Sequence, residues 1–141
     1  MSEETLKEWI RKELIISDER EVIIQSLLSV KDYAKQYIRL LKEKREILLL
    51  HPSRELPSKW RIYLYILGKA YGYISGIFEN DQITNKELEN SLKLPEGTVK
   101  SSLKELRDEE WIIQIEPGIH RLNYSKLSEA FESMKKEGPK T

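Results

Sequence analysis

The chain has 141 residues, with 24 Lys and Arg against 24 Asp and Glu and no cysteine. That length fits one ordinary domain, or a small domain with a helical extension, and is too short for two full-sized domains. Neutrality holds for residues 1–57 (11 basic, 11 acidic) and for 58–141 (13 of each) alike, which excludes a protein that coats polyanions by bulk charge; the lack of cysteine excludes disulfides and thiolate metal sites.

No apolar run approaches the roughly 20 residues of a membrane span, and no charged-then-apolar leader opens the chain. The expectation is a soluble, cytoplasmic protein with no membrane partner. Its richness in Lys, Glu, Ile and Tyr is the bias of thermophilic proteins.

Residues 3–15, "EETLKEWIRKELI", place Leu6, Trp9, Ile10 and Leu14 at spacings of three and four, which predicts a short amphipathic helix behind Ser2 as its cap. Asp18, followed by Glu21, resembles a capping box that restarts a helix. From there Ile23, Leu27, Val30, Ala34, Tyr37 and Leu41, then Lys44 and Leu48, alternate steps of four and three as a coiled-coil seam does. This predicts one long helix reaching about residue 50, packed on the rest of the fold or on the same helix of a second copy. "HPSRELPSK", with two prolines and two serines, predicts a hinge loop at 51–58.

Residues 59–79 read as a buried helix capped by Ser58, and "GKAYGYISG" sets Gly68, Gly72 and Gly76 one turn apart within it. Each glycine costs about 0.8–1.0 kcal/mol against alanine in a helix, so some contact must offset them. Together with Arg61 and Tyr65 they trace an i, i+4 row, and close approach of another helix at about −50° is the expected compensation. The predicted docking set is Tyr65, Gly68, Gly72 and Gly76 against Val30, Tyr37 and Leu41 of the long helix, within the chain or across a homodimer.

The C-terminal half has the sharpest pattern. Ile83 reads as a short extended piece, Thr84 with Glu87 as a capping box, Leu88 and Leu92 as the stripe of one helix, and "KLPEG" as a turn. Val99, Leu103 and Leu106 mark a second helix at about 96–109. "WIIQIEPGIHRL" reads as two strands joined at Pro117-Gly118. Leu127, Ala130, Phe131 and Met134 line a last helix at about 125–136, and 137–141 is a tail.

"ITNKELENSLKLPEGTVKSSLKELRDEEWI" resembles the winged helix-turn-helix superfamily, carried by Leu88, Leu92, Leu94, Gly97, Thr98, Val99, Leu103, Leu106, Trp111 and Ile112. The resemblance covers about residues 59–136 and departs at Glu110, where such domains often have the glycine that a left-handed turn favours. It implies a mainly α fold: a winged helix-turn-helix domain with a small two-stranded wing, behind an N-terminal helical region, 1–50, of one short and one long helix. It also implies double-stranded DNA as partner, with 96–109 as recognition helix and 116–121 as wing.

Setting Val99, Leu103 and Leu106 inward puts Gly97, Ser101, Lys104, Glu105 and Asp108 outward, flanked by Thr98, Lys100 and Arg107. The candidate DNA-binding residues are therefore Thr98, Lys100, Ser101, Lys104 and Arg107, joined by His120 and Arg121 at the expected wing tip. Glu105, Asp108, Glu109 and Glu110 would repel phosphates. That acidic end and the neutral C-terminal half keep open a second reading, a protein-docking winged helix in a larger complex. Catalysis is not expected. The histidines are His51 and His120 alone, and neither H-E-x-x-H nor G-x-x-x-x-G-K-[ST] occurs, so no metal or cofactor is implied.

Overall fold

The computed structural model describes residues 2–14 and 19–137, in the order α1 (Glu3–Glu13), α2 (Glu19–Ser29), α3 (Lys31–Tyr37), β1 (Ile38–Leu41), β2 (Glu46–Leu49), α4 (Ser58–Ile74), β3 (Ile83–Thr84), α5 (Asn85–Leu92), α6 (Glu96–Asp108), β4 (Ile112–Glu116), β5 (Ile119–Leu122) and α7 (Leu127–Glu137). The described residues are thus mainly helical, with two small antiparallel sheets, β1-β2 and β3-β5-β4. No helix among them is long and apolar enough to cross a membrane. The Asp18 cap and the tail beyond Glu137 lie outside the described residues.

Ser2 caps α1 as expected, its hydroxyl accepting from the Thr5 amide at 3.1 Å. The long helix is corrected. Its first part is α2 and α3, broken at the buried Val30, and its last part is the hairpin β1–β2, paired Ile38↔Leu49 and Leu40↔Ile47. The seam runs through Tyr37, Leu41, Lys44 and Leu48, but the residues beside it, Ile38 with Leu40 and Ile47 with Leu49, alternate with a period of two, and pairing puts these four on one side of the hairpin. Lys44, the charged interruption of the seam, lies in the turn, which Arg45 closes in the left-handed region (φ 53). Residues 51–55 form a 3₁₀ turn that buries Ser53, followed by the buried Leu56, where a hinge loop was expected.

α4 is apolar almost all round, and eleven of its seventeen residues are buried. A helix of that kind must be covered on every side; α3, the β1–β2 hairpin, α5, α6 and β5 all pack on it. Pro57, not Ser58, takes the N-cap position, and Ser58 begins the helix, its hydroxyl accepting from Arg61 at 3.1 Å. The helix ends at Ile74, earlier than expected, because Gly76 turns left-handed (φ 85) and lets the Ile77 amide reach Gly72 O (2.8 Å) and the Gly76 amide reach Tyr73 O (3.2 Å). This is a Schellman cap.

The glycine row is corrected in the same way: it docks no helix. A Cβ on Gly68 would lie 2.6 Å from Cγ2 of Ile47 and 3.3 Å from Cγ2 of Ile38, so Gly68 admits the hairpin. Gly72 admits Phe78, which folds back over the end of its own helix, and Gly76 lies beyond the helix. Tyr65 bonds Ser91 of α5 at 3.0 Å, Val30 is core, Tyr37 is half-buried in α3, and Leu41 is a strand residue.

The C-terminal elements follow the expected order. Thr84 accepts from the Glu87 amide at 3.1 Å, but Glu87 turns to Lys69 at 3.7 Å instead of closing the box. Val99, Leu103 and Leu106 are buried under α6, and Leu127, Ala130, Phe131 and Met134 under α7. β3 joins β4 and β5 as a third strand, pairing Ile83 with His120. Rings link the layers: Tyr33 of α3 stacks on Phe131 of α7 at 4.8 Å, and Tyr63 of α4 meets Phe131 edge-on at 6.3 Å.

Gly68→Ala is expected to lower stability by about 1–2 kcal/mol in urea unfolding, since overpacking against Ile47 outweighs the helix propensity gained. In an Ile47→Ala background the same change should raise stability by up to about 1 kcal/mol. Equal effects in both backgrounds would show that Ile47 is not what the glycine accommodates.

Candidate nucleic-acid interface

α6 rests on α4 through Val99, Leu103 and Leu106, which leaves its opposite side in solvent. Gly97, Lys100, Ser101, Lys104, Glu105 and Asp108 are exposed there, with Thr98 and Arg107 half-buried at the flanks. Nothing lies within 4 Å of the position a Cβ on Gly97 would take, so backbone can come close at the start of the helix. Ser101 donates to Thr98 O at 3.2 Å.

Two cations on this face carry local partners. Lys100 bonds Glu96 and Lys104 bonds Asp108, each at 2.8 Å and each spaced i, i+4. The bond from Lys100 holds the Glu96 carboxyl below its usual range. Exposed pairs of this kind contribute about 0–1 kcal/mol, little enough for a phosphate to compete for the ammonium. Among the described residues Arg107 has no ion-pair partner.

Between α6 and the β4–β5 hairpin lies an open cleft of about 360 Å³. Lys100, Lys104 and Arg107 line it from the helix; Gln114, Pro117 and Gly118 line it from the hairpin. Three cations thus face a neutral wall, Lys100 and Lys104 paired with Glu96 and Asp108 of their own helix and Arg107 carrying the uncompensated charge. Pro117 and Gly118 fall within the expected wing, 116–121, whereas Gln114 was not among the candidate residues; the sheet register, with a bulge between Gln114 and Glu116, brings it here.

Glu105, Glu109 and Glu110, at and just past the end of α6, are held by cations from other elements. Lys59, buried at the start of α4, lies 2.9 Å from Glu109, 3.0 Å from Glu137 of α7 and 3.8 Å from Glu105. Burial pulls its pKa down, but the bonds from Glu109 and Glu137 outweigh this and hold it above the usual range. Trp111 donates to Glu109 at 2.9 Å, and Lys126 bonds Glu110 at 2.7 Å. Glu110 does take the left-handed conformation (φ 65) for which such turns favour glycine. The strain of about 1–2 kcal/mol is accepted, and the side chain is tied to Lys126.

His120 and Arg121 do not occupy the hairpin tip, which is Pro117-Gly118 with Gly118 at φ 80. His120 is 1% exposed, inside β5, with Nε2 2.9 Å from Asn85 Oδ1. Burial, helped by Arg107, lowers its pKa from 6.5 to about 4, so it is neutral at pH 7. Arg121 points to the other face of the strand. It donates to buried Asp81 through Nε (3.1 Å) and Nη2 (2.8 Å) and to Glu19 at the start of α2 (2.6 Å), while the Tyr124 hydroxyl donates to the same Asp81 oxygen (2.6 Å). Both residues are structural. Alternation along a strand makes one of two neighbours face inward, and the partners, Asp81 and Glu19, lie 40 and 102 residues away, beyond any local pattern.

Comparison with family models, with curated proteins and with solved structures finds no match to the chain.

The unfolded chain binds a proton at His120 below about pH 6.5 and the folded chain only below about 4, so stability should fall as pH drops through that window. Between pH 7.5 and 5 the loss attributable to this residue is about 2 kcal/mol. Urea unfolding at both values should show it, and His120→Gln should remove it. Arg121→Met, which leaves Asp81 buried without its cation, should cost about 3 kcal/mol; a loss under about 0.5 kcal/mol in the same measurement would refute the structural role.

Proposed function

We propose that the chain is a DNA-binding protein of winged helix-turn-helix type, a transcriptional regulator with α6 as recognition helix and the β4–β5 hairpin as wing. The observation that supports this most is the division of α6. Its first turns project Gly97, Thr98, Lys100, Ser101 and Lys104 beside the cleft, with Glu96 and Asp108 in exposed pairs to the two lysines, while Glu105, Glu109 and Glu110 are held by Lys59 and Lys126. Small and hydroxyl side chains at the start of the helix reach base edges, and the ammonium and guanidinium groups take phosphates. Arg107, facing the Pro117-Gly118 turn across the cleft, is placed for the backbone that runs between recognition helix and wing.

A second reading has its own observation. β4 is an edge strand, and Ile113 (47% exposed) and Ile115 (40% exposed) stand on its outer surface. Such a strand can pair with another protein, as in a non-catalytic subunit of a larger complex.

Salt-dependent mobility shifts on duplex DNA test both. On the DNA reading Lys104→Ala and Arg107→Ala each weaken binding about tenfold and lower the salt slope by about 1, Ser101→Ala weakens it less, and Ile113→Glu leaves it unchanged. No binding at low salt, or a loss confined to Ile113→Glu, would move the function to the edge strand.

A further inference from the structure

Among the described residues α1 packs extensively on no other element. None of its residues is buried, although Leu6, Trp9, Ile10 and Leu14 form one apolar stripe, with Trp9 48% and Leu14 64% exposed. A helix of eleven residues is marginal in water by itself, and the Ser2 cap and the Glu3–Lys7 pair at 3.6 Å add only tenths of a kcal/mol to about 1 kcal/mol. Among the described residues of this copy, no surface buries that stripe.

The charge around the stripe says which surface. At about 100° per residue the four apolar side chains span about 140°, and Glu3 and Glu13 fall inside that arc near its two ends. No cation lies within it; Lys7, Arg11 and Lys12 lie outside. Two α1 stripes laid together would therefore gather four carboxylates along one seam, where Lys7, just outside the arc, pairs with Glu3 and nothing on the helix answers Glu13. An anionic lipid surface is disfavoured for the same reason.

A groove of the opposite character lies on the same chain. Ala34 and Ile38 from the end of α3, Leu40 of β1 and Tyr71 of α4 form an open apolar depression of about 380 Å³. Lys31, Lys35 and Arg39 ring it, and Asp32, the acid of α3, does not line it. Arg39 is fixed in place, donating to Ile38 O at 2.7 Å and to Lys35 O at the end of α3. An apolar helix face with acidic ends thus matches an apolar groove with a basic rim.

We propose that α1 is an arm that seats in the α3–β1 groove of a second copy, so that two copies exchange arms reciprocally. The contact replaces the glycine row as the basis of a homodimer, and it is independent of the DNA reading. The dimer interface is then built from Leu6, Trp9, Ile10 and Leu14 of one copy and the groove of the other, with Glu3 and Glu13 against the lysines of the rim.

Sedimentation velocity of the full chain without nucleic acid tests this. The wild type should be a dimer at about 100 µM, and Leu6→Glu/Trp9→Glu should weaken dimerisation at least about tenfold. The exposed pair Lys31→Glu/Lys35→Glu should do the same, and adding Glu3→Lys/Glu13→Lys to it should restore the dimer. A monomeric wild type overturns the proposal, whether its arm is free or docked on its own groove. So does a Lys31→Glu/Lys35→Glu variant that stays fully dimeric, or one that the added lysines fail to restore.

Discussion

The need to cover α4 on every side organises this molecule. With eleven of seventeen residues buried, the helix leaves no face for solvent, and elements from both ends of the chain must converge on it. α2, α3 and the β1–β2 hairpin pack on it from before it in the chain, and α5, α6 and β5 from after it. Two of its glycines follow from the same demand. Gly68 lets a sheet come within contact of the helix backbone, and Gly72 lets Phe78 seal its end. Helix propensity is lost at both positions, and apolar contact offsets it.

Charge then fixes how the covering elements sit. Lys59 at the first turn of α4 gathers carboxylates from the end of α6 and the end of α7, and its ammonium lies 4.8 Å from the centre of the Trp60 ring. Asp81 gathers Arg121 and Tyr124, and Arg121 in turn holds Glu19, so the start of α2, the central strand and the turn before α7 meet at one buried carboxylate. Groups of this kind add little net stability against apolar replacements, but each leaves an unpaired buried charge if its partner moves. They set position more than they set total stability.

The functional face is a by-product of that positioning. α6 has to turn Val99, Leu103 and Leu106 to α4 and its terminal carboxylates to Lys59. What remains outward is Gly97, Ser101, Lys100 and Lys104, with Glu96 and Asp108 paired to the two lysines, beside a hairpin whose tip is a proline and a glycine. A neutral chain can in this way present cations along a cleft, because Glu105, Glu109 and Glu110 are engaged elsewhere and only exposed pairs hold Lys100 and Lys104.

Sequence by itself determined the elements whose signals are local and whose buried face has one period. These are α1 with its Ser2 cap, the Thr84 cap, the α5–turn–α6 unit with Val99, Leu103 and Leu106 inward, the Pro117-Gly118 hairpin and the stripe of α7. Most of the outward residues of α6 were legible for the same reason. Between Ile38 and Leu49 one set of residues keeps the seam's period and a neighbouring set alternates with period two, so helix and strand were both consistent with the pattern; the strand puts Ile38 and Ile47 against Gly68. The role of the glycines, the burial of His120 and the capture of Arg121 and the α6 carboxylates depended on partners as far as 102 residues away. Tertiary structure alone brings such groups together, since a side chain's availability depends on what packs beside it, and no local spacing records that.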